Sequence, residues 1–183
     1  KPDNGGAVAP QVLPGEYTVK LIAGKDVITQ SFRMVHDPKS SFTLSERNAQ
    51  FLAAMELYNL HLKLATIVAG ISDKQKFYKD NIAKLKNKKS IKLGNDYITA
   101  LETLRAELIP TKQTSIFADE SRLREDITQV YLAICFNEAG PSNLQLESIK
   151  TLTKKVNDAE KKASEINMQF EEKVKAALTK EKL

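Results

Sequence analysis

Tryptophan is absent from this 183-residue sequence, cysteine occurs once and histidine twice. A single cysteine cannot close an internal disulfide, so no disulfide framework supports the fold. Two histidines and one cysteine cannot furnish a His–Cys metal cluster, and no cofactor is expected. No run of 18 or more apolar residues occurs, which argues against membrane insertion. Glycine and proline are sparse, and five of the thirteen (Pro2, Gly5, Gly6, Pro10 and Pro14) fall within residues 1–14, an irregular lead-in. There is no G-x-S-x-G elbow, no phosphate-cradling glycine loop and no dinucleotide fingerprint, so none of those chemistries has a motif to carry it.

A hydrophobic fraction of 42% is too high for a disordered chain and suits a globular one. Only the start reads as β. Pro14-Gly15 opens onto a strand over about 16–23 in which Tyr17, Val19 and Leu21 share one face. A second strand, about 26–36, follows a Gly24-Lys25-Asp26 turn, places Ile28, Phe32 and Met34 on one side, and stops before Asp37-Pro38. Two strands cannot bury a β core, because an isolated hairpin is marginal in water. Residues 1–40 are therefore expected to be a partial sheet, and the chain, which starts at Lys1, a piece of a larger protein. The apolar hairpin face (Tyr17, Val19, Leu21, Phe32) should pack on the bundle or on strands outside this sequence.

The remainder, 41–183, reads as helix. Thr43-Leu44-Ser45-Glu46 is a capping box. Phe51, Met55, Tyr58 and Leu62, with Leu60, Leu64, Ile67 and Ile71, then repeat at the three-to-four spacing of a buried helix face. Gly70 and Ser72-Asp73 are expected to interrupt this helix, giving 44–70 with a continuation over 73–88. Further helices are expected at 95–109, 119–137 and 142–182, the last carrying an apolar seam from Ile149 to Ala177. Short connections and amphipathic faces predict a mainly α protein: an antiparallel four-helix bundle, preceded by the hairpin, with the long first and last helices packed together.

Candidate chemistry is scarce. His36 and Asp37 are adjacent at the end of a strand, where neighbours point to opposite faces and cannot pair. His61 falls at the flank of the first helix seam. Cys135, within Val130–Phe136, reads as a small buried hydrophobe. Carboxylates sit beside lysines on solvent faces, and no catalytic residue is expected. Charge is the remaining signal. Residues 74–92 hold eight lysines and one acid, a local +7 in a chain of net +5, which leaves the rest at −2. Lys84, Lys86, Lys88 and Lys89 are the candidate anion-binding residues. The segment contains no arginine for bidentate phosphate recognition and no interleaved aromatics for base stacking, which argues against nucleic acid.

One resemblance extends across the hairpin. Ala9-Pro10, Pro14-Gly15-Glu16-Tyr17-Thr18-Val19-Lys20-Leu21, Thr29-Gln30-Ser31-Phe32-Arg33-Met34-Val35 and Asp37-Pro38-Lys39 together form a phrase. It resembles the end of the immunoglobulin-like sandwich in exported bacterial proteins built on a sortilin-like, BNR-repeat β-propeller, often labelled glycosyl hydrolases. Leu44 to Leu57 resembles that family's first helix after the sandwich, and Ala139-Gly140-Pro141-Ser142 falls at a later helix start. The lysine segment departs from the family, and the propeller's Asp boxes are absent from this sequence. The resemblance implies a secreted or periplasmic protein, with propeller and sandwich upstream as partners in the same polypeptide and any hydrolase activity located there. The expected function is a non-catalytic C-terminal structural or interaction module, with a homo-oligomer through the hairpin edge as a further expectation. The alternative is a freestanding anion-binding helical module using residues 74–92.

Overall fold

The computed structural model describes residues 9–111 and 120–181. It contains a two-stranded antiparallel hairpin, β1 (Gly15–Ala23) and β2 (Asp26–Met34), and four helices, α1 (Leu44–Ile82), α2 (Lys88–Leu108), α3 (Leu123–Cys135) and α4 (Asn143–Lys180). The protein is a mainly α helical bundle preceded by a β-hairpin. Expected residues 1–8, 119 and 182 lie outside the described part.

The first helix does not break at Gly70 or Ser72-Asp73; α1 runs unbroken for 39 residues. Ile71, Gln75, Tyr78 and Ile82 continue the buried face beyond those residues, and tertiary packing overrides weak local propensity. It ends at Ile82 and not near Lys88. The next helix begins at Lys88, seven residues earlier than expected, because Asn87 caps it by accepting from the amides of Lys89 and Ser90. At the other end of α2, Ile109 is extended (φ −138, ψ 151), the conformation that a following proline imposes, here Pro110. The predicted capping box is present: Thr43 accepts from the Glu46 amide, and the Glu46 carboxylate accepts from the Thr43 amide at 2.7 Å. Ser142 and Gln145 form a second box at the start of α4.

Contacts along the helices fix their directions. Gln75 of α1 donates to Glu102 of α2, while Ile82 packs on Gly94, so α1 and α2 are antiparallel. Gln50 reaches the Ile134 carbonyl and His61 meets Tyr131, so α3 also opposes α1. Lys63 pairs with Asn157 and Glu160, and Lys74 with Glu171, so the two long helices lie parallel. Along α4, Tyr97 meets Asn167, Glu107 meets Lys162 and Asp126 meets Lys155, a steady descent. The four helices thus occupy three columns, with α2 and α3 end to end as the return column between α1 and α4.

At 1.5 Å per residue, the 39 residues of α1 span about 58 Å, and the 21 and 13 residues of α2 and α3 together about 51 Å. The core runs along this length. Leu57, Leu64, Tyr78, Tyr97, Leu101, Ile127, Tyr131, Val156 and Val174 are all fully or almost fully buried. Tyr97 sits at one centre of it, edge-on to Tyr78, stacked on Phe170 and donating its hydroxyl to Asn167 Oδ1 at 2.7 Å. Among the described helices, α1 is the one long and apolar enough by length and composition to cross a membrane. Its buried positions face the three other helices, Leu52, Leu62 and Phe77 are exposed, and Glu56 and Lys63 interrupt its sequence.

Gly94 lets α2 approach α1. A Cβ there would lie 2.4 Å from Ile82 Cδ1 and 2.6 Å from its Cγ1. Gly94→Ala is therefore expected to lower the thermal midpoint, because overpacking costs about 1–3 kcal/mol against a propensity gain of about 1 kcal/mol. In an Ile82→Ala background the same change should be neutral or stabilising; equal destabilisation in both backgrounds would refute the close-approach explanation.

Candidate functional site

Two surfaces and one interior cluster carry the residues singled out by sequence, and they occupy different parts of the bundle. The hairpin lies at the end where α1 and α4 begin. Its register pairs Tyr17 with Phe32, Val19 with Gln30 and Leu21 with Ile28, which puts these side chains on one face together with Met34. The opposite face carries the Glu16–Arg33 ion pair, the Thr18–Ser31 hydroxyl contact, Lys20 beside Thr29 and, next to the turn, the exposed Ile22–Val27 pair. Gly24, with φ +64, occupies the first central position of the two-residue turn, where tight hairpin turns call for the left-handed backbone that glycine adopts without strain.

The apolar face is not covered. Val19, Leu21 and Ile28 are each more than half exposed and Phe32 is 43% exposed, and among the described residues neither strand contacts a helix. Of the two covers expected for this face, the bundle is thus excluded. Val19, Leu21, Ile28, Gln30 and Phe32 outline a shallow depression of about 400 Å³. What the sequence pattern did not disclose is the Tyr17 hydroxyl, which donates to the Leu13 carbonyl at 2.5 Å and closes the chain entering β1 into a corner. The Pro-Gly-x-Tyr spacing carried that signal.

The hairpin base is tied to the bundle. Arg47 donates to Gln50 at 2.9 Å and to Gln11 at 3.4 Å, and Ser40 donates to Glu138. The second strand ends at Met34, so His36 and Asp37 belong to the connection and not to a strand. Both line a small cavity of about 100 Å³ with Arg47 and Glu138. Asp37 accepts from the Lys39 amide at 2.8 Å, and its side chain thus organises the turn into α1.

At the far end of the bundle lies the lysine segment, which the fold divides. Lys74 pairs with Glu171 and Lys92 with Asp96. Burial alone would raise the Glu171 carboxyl, but hydrogen bonds from Lys74 and Lys175 hold it below the usual range. Lys84 and Lys86 occupy the α1–α2 connection, and Lys88 and Lys89 the first turn of α2. All four are exposed, and among the described residues none forms an ion pair; Lys84 reaches only the Asn81 side chain at 3.5 Å. The acid that comes to this connection, Glu181, accepts from the backbone amides of Lys86 (2.8 Å) and Asn87 (3.4 Å). That contact joins the end of α4 to the turn.

Inside the bundle, Cys135 is buried and desolvation pushes its thiol up, away from the reactive thiolate. His61 is not at a flank but in the core, 6% exposed and edge-on to Tyr131 at 5.7 Å between ring centroids. Its Nε2 has no hydrogen-bond partner among the described residues. A cleft of about 430 Å³ opens where α2 meets α3. Part of its charged lining is paired across the cleft, Glu107 with Lys162 and Asp126 with Lys155, while Asp158 also lines it.

Burial, and secondarily the charge of Arg124, lower the His61 pKa from its ordinary value of 6.5. The unfolded chain then binds a proton that the folded chain resists, so stability rises with pH wherever that difference exists. The His61 contribution is complete above about pH 6.5 and is lost as the pH falls from there towards the folded-state value. His61→Phe, which keeps an aromatic ring against Tyr131, should flatten the fall in thermal midpoint between pH 7 and pH 5; an unchanged profile would locate the titrating group elsewhere.

Comparison with protein-family models, with curated proteins and with solved structures finds no match for this chain.

Proposed function

We propose that the chain is a non-catalytic structural or interaction module in which the hairpin supplies the closing strands of an immunoglobulin-like sandwich and the bundle is carried beside that domain. The observation that carries this reading is the Tyr17 corner together with an uncovered apolar strand face. In immunoglobulin-like sandwiches a tyrosine near the start of a late strand returns its hydroxyl to the backbone a few residues upstream. A hairpin that is apolar on one side and mainly polar on the other, with Ile22 and Val27 the exceptions by the turn, is suited to one outer layer of such a sandwich, with its apolar side towards a second sheet. The free edges of β1 and β2 offer unpaired N–H and C=O groups to a neighbouring strand. In the parent protein, the partners are the sandwich and propeller of an exported BNR-repeat polypeptide, and any hydrolysis belongs to the propeller.

The coding sequence ahead of Lys1 tests the reading directly. Sandwich strands preceded by Asp-box blades are expected, and a start codon at that point would overturn it. In the longer protein, Tyr17→Phe should cost about 1 kcal/mol, the net worth of one hydrogen bond. The amides of Thr18 and Lys20 should exchange far more slowly there than in the present chain. In the present chain, Phe32→Lys should leave the bundle's stability within about 0.5 kcal/mol, as expected of a residue that packs on no helix. Self-association of this chain that Phe32→Lys abolishes would instead identify a second copy as the cover.

A further inference from the structure

The unpaired lysines at the far end are independent of the hairpin. Residues 81–95 contain five lysines and no acid, and among the described residues four of the five have no ion-pair partner. Elsewhere, lysines with an acid in reach are paired: Lys63, Lys74, Lys150, Lys155, Lys162 and Lys175 each contact a carboxylate. Lys76 and Lys79, in the last turns of α1, add two more exposed ammonium groups with no ion pair among the described residues, against one exposed carboxylate, Asp80. Glu181 is turned onto the backbone of the connection, and Lys92 engages Asp96. The charge thus forms a cap at the tip of a column about 58 Å long, at the end opposite the hairpin.

We propose that this tip is an adsorption surface for anionic lipid bilayers. Lysine is a compact, strongly hydrated point charge that is attracted to a diffuse negative surface without needing a fixed ligand geometry. Nucleic-acid recognition draws instead on bidentate arginine and on rows of stacking aromatics. The tip has no arginine; its tyrosines, Tyr78 and Tyr97, are buried in the core, and Phe77 is a single exposed ring and not a row of them. An end-on tip also meets a flat surface without obstruction by the rest of the bundle. Adsorption leaves the protein outside the bilayer, and no helix enters it.

Co-sedimentation tests the proposal, using vesicles of phosphatidylcholine alone and with one third phosphatidylglycerol. The protein should pellet with the anionic vesicles at low salt, be released as salt rises, and ignore the neutral ones. Replacing Lys84, Lys86, Lys88 and Lys89 with glutamine should weaken binding by about fivefold per lysine removed. The same change at Lys20, Lys25, Lys39 and Lys154, which carry equal charge elsewhere on the surface, should have little effect. Circular dichroism of both variants confirms that the helices persist. Absence of binding to anionic vesicles, an equal loss in the two variants, or tighter retention on single-stranded or duplex DNA at the same salt would each overturn the proposal.

Discussion

Parallel neighbours in a helical bundle need a return path as long as themselves. The 39 residues of α1 and the 38 of α4 run side by side in the same direction, so the chain must travel back along their whole length between them. Two shorter helices do this in succession. Their junction falls where Pro110 makes a continuous helix impossible, and α3 resumes the same column beyond it. Every interior contact follows from this arrangement. Gly94 admits Ile82 near the top of the column, Tyr97 knits α1, α2 and α4 below it, and His61 and Gln50 meet α3 lower down.

Much of this was legible from side-chain spacing, but not its direction. The apolar repeats of α1 and α4 locate their buried faces, and the capping boxes at Thr43 and Ser142 mark where they begin. A buried face says which side of a helix meets a neighbour, not which way that neighbour runs, so the parallel pairing emerges only from cross-contacts such as Lys63–Asn157. The expected interruption at Gly70 rests on local preference, which is worth about 1 kcal/mol and yields to a seam packed on both sides. The early start of α2 was hidden for a similar reason. Lys88, Lys89 and Lys92 resemble a solvated loop, while Ile91 and Gly94 among them pack inward.

For the candidate surfaces, the sequence located the residues and the fold supplied their relations. The alternation in the strands predicted an apolar hairpin face, and the register delivers it pair by pair. That no helix covers this face could not be read from alternation, since a hairpin folded back on the bundle would have the same pattern. Lys84, Lys86, Lys88 and Lys89 were conspicuous by composition alone. That none of them forms an ion pair among the described residues reflects Glu181 turning to the backbone of the connection.

Three columns are an odd number, and helix dipoles therefore cannot cancel. Two helices present their carbonyl ends to the lysine tip and one presents its amide end, a net partial negative charge of about half an electron. Lys79 near the end of α1 and Lys180 at the end of α4 answer that polarity and serve the bundle itself. Lys88 and Lys89 stand at the amide end of α2, where a positive charge opposes the local dipole and an acid would be favoured. The tip thus contains two kinds of lysine, one accounted for by the helices that bear it and one that adds nothing to their stability.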